Sequence, residues 1–207
     1  MSIREKLISF DFTKDDSIIN SYLKKVSILD YHREIPKNKE VRKGAVMIVL
    51  YPKKGQDYFV LTQRHDYKGV HSGQISLPGG KPELEDISLS NTAIRETQEE
   101  TGIQVNSNEI IHSFAPIYIP PSNFLVSPFL SILDYTPDLL ADPYEVKEIY
   151  EINILDLTTE NIKVKLMDIG PEKDVPVPYY DFNGKVVWGA TAGILSELHY
   201  YTDLISK

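Results

Sequence analysis

Three glutamates near the end of one predicted helix are the residues of this chain best suited to chemistry. Glu96, Glu99 and Glu100 are spaced so that Glu96 shares a helix face with both of the others. The carbonyl end of a helix carries partial negative charge, so carboxylates there are unfavourable without a compensating cation. Carboxylate oxygens are the ligands that Mg²⁺ and Mn²⁺ prefer. The spacing alone leaves two interpretations open, a divalent-metal site and a solvated acidic face.

A glycine pair and an arginine flank these acids. Gly79 and Gly80 allow the backbone to turn sharply and to approach a ligand closely, and Pro78 stiffens the entry to that turn. Arg95 adjoins Glu96 in the sequence, where its guanidinium can pair with a carboxylate or orient one. Divalent cations beside a glycine turn are suited to phosphoryl chemistry, because the metal neutralises developing charge and activates water.

The stretch LPGGKPELEDISLSNTAIRETQEETGI, residues 77–103, resembles the signature of the Nudix hydrolases. That signature runs Gly, five residues, Glu, seven residues, then Arg-Glu-aliphatic-x-Glu-Glu-x-Gly-aliphatic. Its second half is matched by Arg95, Glu96, Glu99, Glu100, Gly102 and Ile103. The resemblance favours the metal site over the solvated face.

The chain departs from the general signature in two ways. Thr97 replaces an aliphatic residue, and the interval from Gly80 to Arg95 is one residue longer. The early acid of the signature then falls on Asp86, with Glu85 also available. The longer interval is similar to that of the coenzyme A diphosphatase branch of the family.

An upstream stretch resembles the same branch. VLTQRHDYKGVHSGQISLPGG, residues 60–80, follows the branch motif of roughly Leu-Leu-Thr-x-Arg-Ser/Ala, spaced basic and Gly positions, and Phe-Pro-Gly-Gly. The matching residues are Leu61, Thr62, Arg64, Gly73, Pro78, Gly79 and Gly80. His65, Gly69 and Leu77 depart from it. With similar segments downstream, the resemblance covers about residues 40–198.

The resemblance implies a role for each candidate residue. The implied metal ligands are Glu96, Glu99 and Glu100, and the implied catalytic residues are Glu99, Glu100, Arg95 and Glu145. The candidate substrate-binding residues are Arg64, Lys68, His71, Gly79, Gly80 and Lys81. Alternatives remain for three of them. Arg64 suits a core ion pair as well as a phosphate contact, a lone loop histidine such as His71 is more often a bystander, and solvent exposure is the simpler interpretation of Glu145.

Hydrophobic patterning predicts the elements that position these residues. Strand-like runs cover residues 44–51, 58–64, 109–119, 123–133, 145–154, 161–169 and 175–182. Helical patterns cover residues 15–26, 88–101 and 190–205, the last as an amphipathic helix. Asn183-Gly184 is a type I′ turn signal. Strands around a central helix and a terminal helix predict a mixed sheet sandwiched by helices. The resemblance implies the same class, an α/β Nudix-fold α/β/α sandwich with a mixed β-sheet.

Length and composition narrow the function further. The chain has 207 residues, enough for one well-buried domain, or for one domain with an appendage. The resemblance implies one Nudix hydrolase domain over residues 40–207, which leaves an N-terminal helical extension over residues 1–39. No run has the length of a membrane span, and the absence of cysteine fits a reducing compartment, so we expect a soluble cytoplasmic protein. The net charge of −8 argues against a nucleic-acid surface.

The predicted function is hydrolysis of a diphosphate bond with Mg²⁺ or Mn²⁺ as cofactor. By resemblance, the substrate is coenzyme A or an acyl-coenzyme A, and a homodimer is compatible with the family. Two alternatives stay open: another nucleoside-diphosphate compound, such as ADP-ribose or a dinucleotide, and a Nudix-fold ligand sensor without turnover. The retained Arg-Glu-x-x-Glu-Glu string argues against the sensor.

Overall fold

The structure is a computed structural model that describes residues 1–12, 40–65, 73–169 and 172–206. The predicted helix over residues 15–26 lies outside the described residues. The helices are α1 (Ile3–Ile8), α2 (Leu89–Thr101) and α3 (Gly189–Ser206). The strands are β1 (Arg42–Lys53), β2 (Gln56–Arg64), β3 (Ile75–Ser76), β4 (Gly79–Gly80), β5 (Ile110–Ser113), β6 (Ile117–Ile119), β7 (Phe124–Ile132), β8 (Val146–Asn153), β9 (Ile162–Ile169), β10 (Glu172–Phe182) and β11 (Lys185–Trp188).

The long strand β1 lies at the centre of a mixed sheet. It pairs in parallel with β7 and antiparallel with β2 and β4. The main path of the sheet runs β3-β2-β1-β7-β5, with β6 on β7 and β8 on β2. Side chains of β1 alternate between two cores, because successive residues of a strand point to opposite faces. Ile48 and Leu50 enter one core, whereas Met47 and Val49 enter the other.

One helix covers each face of this sheet, which confirms the predicted sandwich. Ala93 of α2 packs with Met47 and Val49 on one face. Leu195 and Leu198 of α3 belong to the larger core on the other face. The two cores explain why β1 is apolar almost throughout instead of alternating.

The terminal helix differs from its amphipathic prediction. Every residue of α3 from Ala192 to Thr202 is buried. The helix packs against α1, β6, β10 and β11, so it has no wide solvent face. A Cβ added to Gly189 would have no heavy atom within 4 Å, and the φ of this glycine is 64°. The glycine therefore serves the backbone turn into the helix.

A second, three-stranded sheet in the order β11-β10-β9 adjoins the first. Its β10–β11 turn confirms the type I′ prediction, since Asn183 has a φ of 54° and Gly184 a φ of 85°. This sheet supplies Tyr180, Phe182 and Val187 to the larger core.

Helix α1 was not predicted, although a capping box marks its start. Ser2 accepts a hydrogen bond from the Glu5 N–H, and the Glu5 carboxylate accepts one from the Ser2 N–H. Leu7 is fully buried in the larger core, and Arg4 forms a 3.0 Å ion pair with Asp57 of β2. Within the described residues, none of the helices is both long and apolar enough to cross a membrane.

Candidate active site

Helix α2 carries most of the candidate residues and has well-defined ends. The Ser88 hydroxyl accepts a hydrogen bond from the Asn91 N–H at the N-terminus. Gly102 ends the helix in the left-handed region, with a φ of 74°. Thr97, which replaces the aliphatic residue of the pattern, is buried and donates a 2.7 Å hydrogen bond to the Ala93 carbonyl. The helix therefore tolerates this polar residue on its inner face.

Three carboxylates converge where α2 meets the end of the sheet. One oxygen from each of Glu96, Glu100 and Glu145 lies within 4.8 Å of the others. Glu100 is buried, Glu96 is half-buried and Glu145 is exposed. Glu145 lies in a turn held by the Asp142 carbonyl, just before β8. We call Glu96, Glu100 and Glu145 the acidic cluster.

The glycine pair forms the floor of the acidic cluster. Gly79 and Gly80 form β4, which pairs with Ala45 and Val46 of β1. A Cβ on Gly80 would fall on the Glu96 carboxylate, and one on Gly79 would lie 2.7 Å from the Val46 Cα. Close approach to the β1 backbone therefore requires glycine at position 79, whereas a side chain at position 80 would displace the Glu96 carboxylate from the acidic cluster. Residues 75–76 and 79–80 lie outside the predicted strands, yet they form β3 and β4 because the segment enters the gap between β1 and β2, pairing with both.

The hydrogen-bond and ion-pair partners of Glu100 do not offset the effect of burial on the pKa of its carboxyl group. Burial raises its pKa to about 7, although the Arg64 guanidinium and the Thr62 hydroxyl act in the opposite direction. The Arg64 nitrogen is 3.5 Å from a Glu100 oxygen, and Thr62 donates a 3.2 Å hydrogen bond to the other oxygen. Burial also raises the pKa of Glu96. The acidic cluster is therefore short of positive charge.

A second group of charges lies beside it on the same helix. Arg95 donates to both oxygens of Asp86, at 3.2 and 3.0 Å, and to Glu99 at 2.8 Å. It also donates to the Lys81 carbonyl at 2.9 Å and lies 3.1 Å from Glu96. The hydrogen bond from Arg95 lowers the pKa of Asp86 to about 2. We call Asp86, Arg95 and Glu99 the Arg95 cluster.

Comparison with known proteins identifies the family. A family model described as the NUDIX domain matches residues 41–164, which is more than half of the chain. The chain belongs to the Nudix hydrolase family. The helix α2 with its preceding glycine turn is therefore the Nudix helix. It carries Glu96 and Glu100 of the acidic cluster, whereas Glu145 comes from the turn before β8.

Two relatives illustrate the similarity within the Nudix family. The chain is 30% identical over 142 residues to the uncharacterized Nudix hydrolase NudL of Yersinia enterocolitica, covering 67% of this chain and 71% of that protein. It is 30% identical over 164 residues to Nudix hydrolase 15, mitochondrial, of Arabidopsis thaliana. That alignment covers 74% of this chain and 56% of the plant protein.

Solved structures confirm the Nudix fold. A MutT/nudix family protein from Enterococcus faecalis matches 93% of this chain and 76% of its own, with a TM-score of 0.54 and 21% identity. The MutT protein of Methanosarcina mazei Go1 matches 81% of this chain and 99% of its own, with a TM-score of 0.52 and 18% identity.

The structure brings together some of the sequence-predicted site residues. Arg64, Gly79 and Gly80 border the acidic cluster. The Lys81 side chain is exposed, while Glu99 contacts Arg95 and lies outside the cluster of three carboxylates. Lys68 and His71 lie outside the described residues.

Sequence reasoning did not assign a role to Thr62. Its hydroxyl contacts Glu100, and its position two residues before Arg64 puts both side chains on one face of β2. The two-residue spacing between Thr62 and Arg64 was the sequence feature that could have indicated a role for Thr62. Glu145, the first residue of the predicted strand over residues 145–154, precedes the first residue of β8 and lies in the turn before it.

Proposed function

We propose that this chain hydrolyses the diphosphate bond of coenzyme A or an acyl-coenzyme A, using Mg²⁺ or Mn²⁺. The products are adenosine 3′,5′-bisphosphate and phosphopantetheine or its acyl derivative. The observation that carries the proposal is the convergence of Glu96, Glu100 and Glu145 on the glycine floor of a Nudix helix.

The donor set of the acidic cluster fits a divalent ion. Three carboxylate oxygens around an octahedral ion lie about 3–4 Å apart, and those of Glu96, Glu100 and Glu145 lie within 4.8 Å of one another. In this proposal the three carboxylates hold the metal, and Glu99 reaches it directly or through water. The bound metal supplies positive charge against the diphosphate and lowers the pKa of a nearby water.

The neighbouring side chains position the reactants. Arg95 holds Glu99 at 2.8 Å and lies 3.1 Å from Glu96, so it fixes the direction of both carboxylates. Arg64 is 37% exposed and can donate to a diphosphate oxygen from the edge of the cluster. Glu145 is the exposed carboxylate of the three, and we assign it the acceptance of a proton from the attacking water.

The choice of coenzyme A rests on the sequence. The upstream motif and the longer Gly80–Arg95 interval resemble the coenzyme A diphosphatase branch. Coenzyme A differs from ADP-ribose by its 3′-phosphate and its pantetheine arm, so a specific site needs a basic group near that phosphate. Arg64, Lys68 and Lys81 are the candidates, because a chain with a net charge of −8 lacks a broad positive field to attract an anion.

A substrate screen tests the proposal. Coenzyme A, an acyl-coenzyme A, dephospho-coenzyme A, ADP-ribose and a dinucleoside polyphosphate are compared with Mg²⁺ and with Mn²⁺. We expect the highest kcat/KM for coenzyme A or its acyl derivative, and about a tenfold or greater loss without the 3′-phosphate. Arg64→Ala should narrow that gap. If dephospho-coenzyme A and ADP-ribose are cleaved as well as coenzyme A, the enzyme is a general Nudix diphosphatase. If none of the compounds is cleaved, the result favours a sensor.

The proposal extends to the setting of the enzyme. The absence of cysteine fits the reducing cytoplasm, and the substrate is a small molecule, with neither nucleic acid nor membrane as a partner. A homodimer remains our expectation from the family, and light scattering at micromolar concentration tests it.

A further inference from the structure

A cavity of about 420 Å³ lies between the two sheets, on the side of β2 opposite the acidic cluster. Thr62 and Arg64 point to Glu100, whereas the intervening Gln63 points to the cavity. Strands β2, β3 and β8 of the large sheet line it on one side, and β9 and β11 line it on the other. The volume lies within the range of small-ligand sites.

Two lysines of the small sheet border this cavity without a carboxylate partner. Lys165 of β9 has its nitrogen 5.6 Å from the Tyr179 ring, and Lys185 of β11 has its nitrogen 4.8 Å from the Tyr150 ring. Over the residues that the structure describes, neither forms an ion pair, as each contacts only an aromatic ring. In an acidic chain, unpaired lysines at a cavity indicate affinity for an anion.

Two other lysines of the small sheet, in contrast, do have carboxylate partners. Lys163 is paired with Asp181 at 2.5 Å, and Lys173 with Asp168 at 2.8 Å. None of these four residues lines the cavity. The small sheet thus neutralises the charge of its lysines elsewhere but not at the cavity.

Aromatic side chains give the cavity a second property. Trp188 and Tyr150 line it, and Trp188 is only half-buried, so its indole presents apolar surface to the cavity. The Tyr150 hydroxyl donates to Gln63 at 2.6 Å and can also bond Glu148 at 2.9 Å, and its pKa is raised to about 12 by burial and by Glu148. The phenol therefore stays neutral near pH 7 and adds no negative charge of its own.

We propose that this cavity binds a phosphorylated ligand with a flat ring, a nucleotide, through Lys165, Lys185 and Trp188. The lysines contact the phosphate, and the ring stacks on the indole. The nucleotide is a molecule separate from the substrate, because the nucleotide half of coenzyme A is joined directly to the diphosphate and would lie with it at the acidic cluster, on the opposite side of β2. Binding here does not depend on the proposed hydrolysis.

The chain contains one tryptophan, so its fluorescence reports on Trp188 alone. Adenosine 3′,5′-bisphosphate is titrated into the full chain with EDTA present, with calorimetry for the affinity. We expect a saturable fluorescence change, and a dissociation constant at least about tenfold higher in the double variant Lys165→Gln/Lys185→Gln. Lys163→Gln is the matched control, since it removes a lysine of the same strand outside the cavity, and it should bind as the parent does.

Three outcomes would overturn the proposal: no saturable binding, equal weakening in Lys163→Gln, or inorganic phosphate binding as tightly as the nucleotide. Binding should persist in Glu100→Gln, which separates this test from that of the acidic cluster. The source of the nucleotide follows from kinetics with coenzyme A. The double variant should leave the KM for coenzyme A unchanged, and a higher KM with unchanged kcat would place the substrate in the cavity and overturn the proposal of a separate nucleotide.

Discussion

Two groups of charges meet at the Nudix helix, and they are built from the same residue types but differ in the balance of positive and negative charge. In the Arg95 cluster, one guanidinium donates to both oxygens of Asp86 and to Glu99. In the acidic cluster, Glu100 has one guanidinium nitrogen of Arg64 at 3.5 Å. Glu96 lies 3.1 Å from Arg95, whose guanidinium it shares with the Arg95 cluster. The pKa values differ accordingly, since that of Asp86 is lowered to about 2 and that of Glu100 is raised to about 7.

The difference separates a structural role from a functional one. The Arg95 cluster is satisfied by its own cation and ties the loop before α2 to the helix. The acidic cluster is left with buried negative charge that a metal ion would compensate. The account is therefore that the chain completes one cluster itself and leaves the other for a divalent ion.

The largest expected effect comes from Glu100. Glu100→Gln keeps the shape of the side chain but removes one ligand charge, so kcat should fall by about a hundredfold or more. Steady-state hydrolysis with Mg²⁺ measures this. Glu160→Gln is the control, because it makes the same change at an exposed glutamate far from the cluster. Full activity in Glu100→Gln would remove the acidic cluster from the mechanism.

Removing the Arg95 side chain should mainly lower the stability of the folded protein. Arg95→Ala leaves Asp86, which is 5% exposed, without its cation, and we expect a loss of about 2 kcal/mol in the free energy of unfolding. Arg95→Lys should recover part of that loss, since an ammonium keeps the charge but not the paired geometry. Urea denaturation measures both variants. If Arg95→Ala lowers the free energy of unfolding no more than the substitution of an exposed arginine does, the structural role of Arg95 is contradicted.

The pH dependence of stability should distinguish the two clusters. The pKa of Glu100 rises from 4.5 to about 7 on folding, so the folded state binds more protons between these values and stability falls as pH increases through that window. In EDTA, the melting temperature should therefore decrease from pH 5 to pH 8, and less so in Glu100→Gln. Asp86 acts oppositely, because its lowered pKa contributes stability that is lost only as pH falls from 3.8 towards 2. Equal slopes in parent and variant would show that Glu100 is not the group responsible.

The smallest effect on stability is expected at Glu99. Its carboxylate is 52% exposed, and such ion pairs contribute at most about 1 kcal/mol. Glu99→Gln should also reduce kcat less than Glu100→Gln does. If the two variants lose activity equally, Glu99 binds the metal directly and is as important as Glu100, and the division between the two clusters fails.

Much of the fold was predictable because its strands are apolar and its turns carry strong signals. The runs that became β1, β2 and β7 and the helix from Leu89 to Thr101 were predicted within a few residues. The burial of α3 was not, because partners on all sides come from distant segments that periodicity does not reveal. Helix α1 is short, and its capping box was its only local signal.

The site was predictable where its residues lie close together in sequence. Glu96, Glu100 and Arg95 share one helix, so spacing alone placed them together. The approach of Glu145 depends on a turn held by Asp142, and the contact of Thr62 with Glu100 depends on how the sheet meets the helix. Such contacts are set by tertiary packing, and a single sequence does not contain their geometry.

The most direct test of the central claim is the position of a bound metal. A crystal grown with Mn²⁺ and measured at the manganese absorption edge locates the ion by its anomalous signal. The account predicts a peak in contact with the carboxylates of Glu96, Glu100 and Glu145, with Arg95 still bonded to Asp86. The absence of a peak among these three carboxylates at millimolar Mn²⁺, with their side chains turned outward, would contradict it.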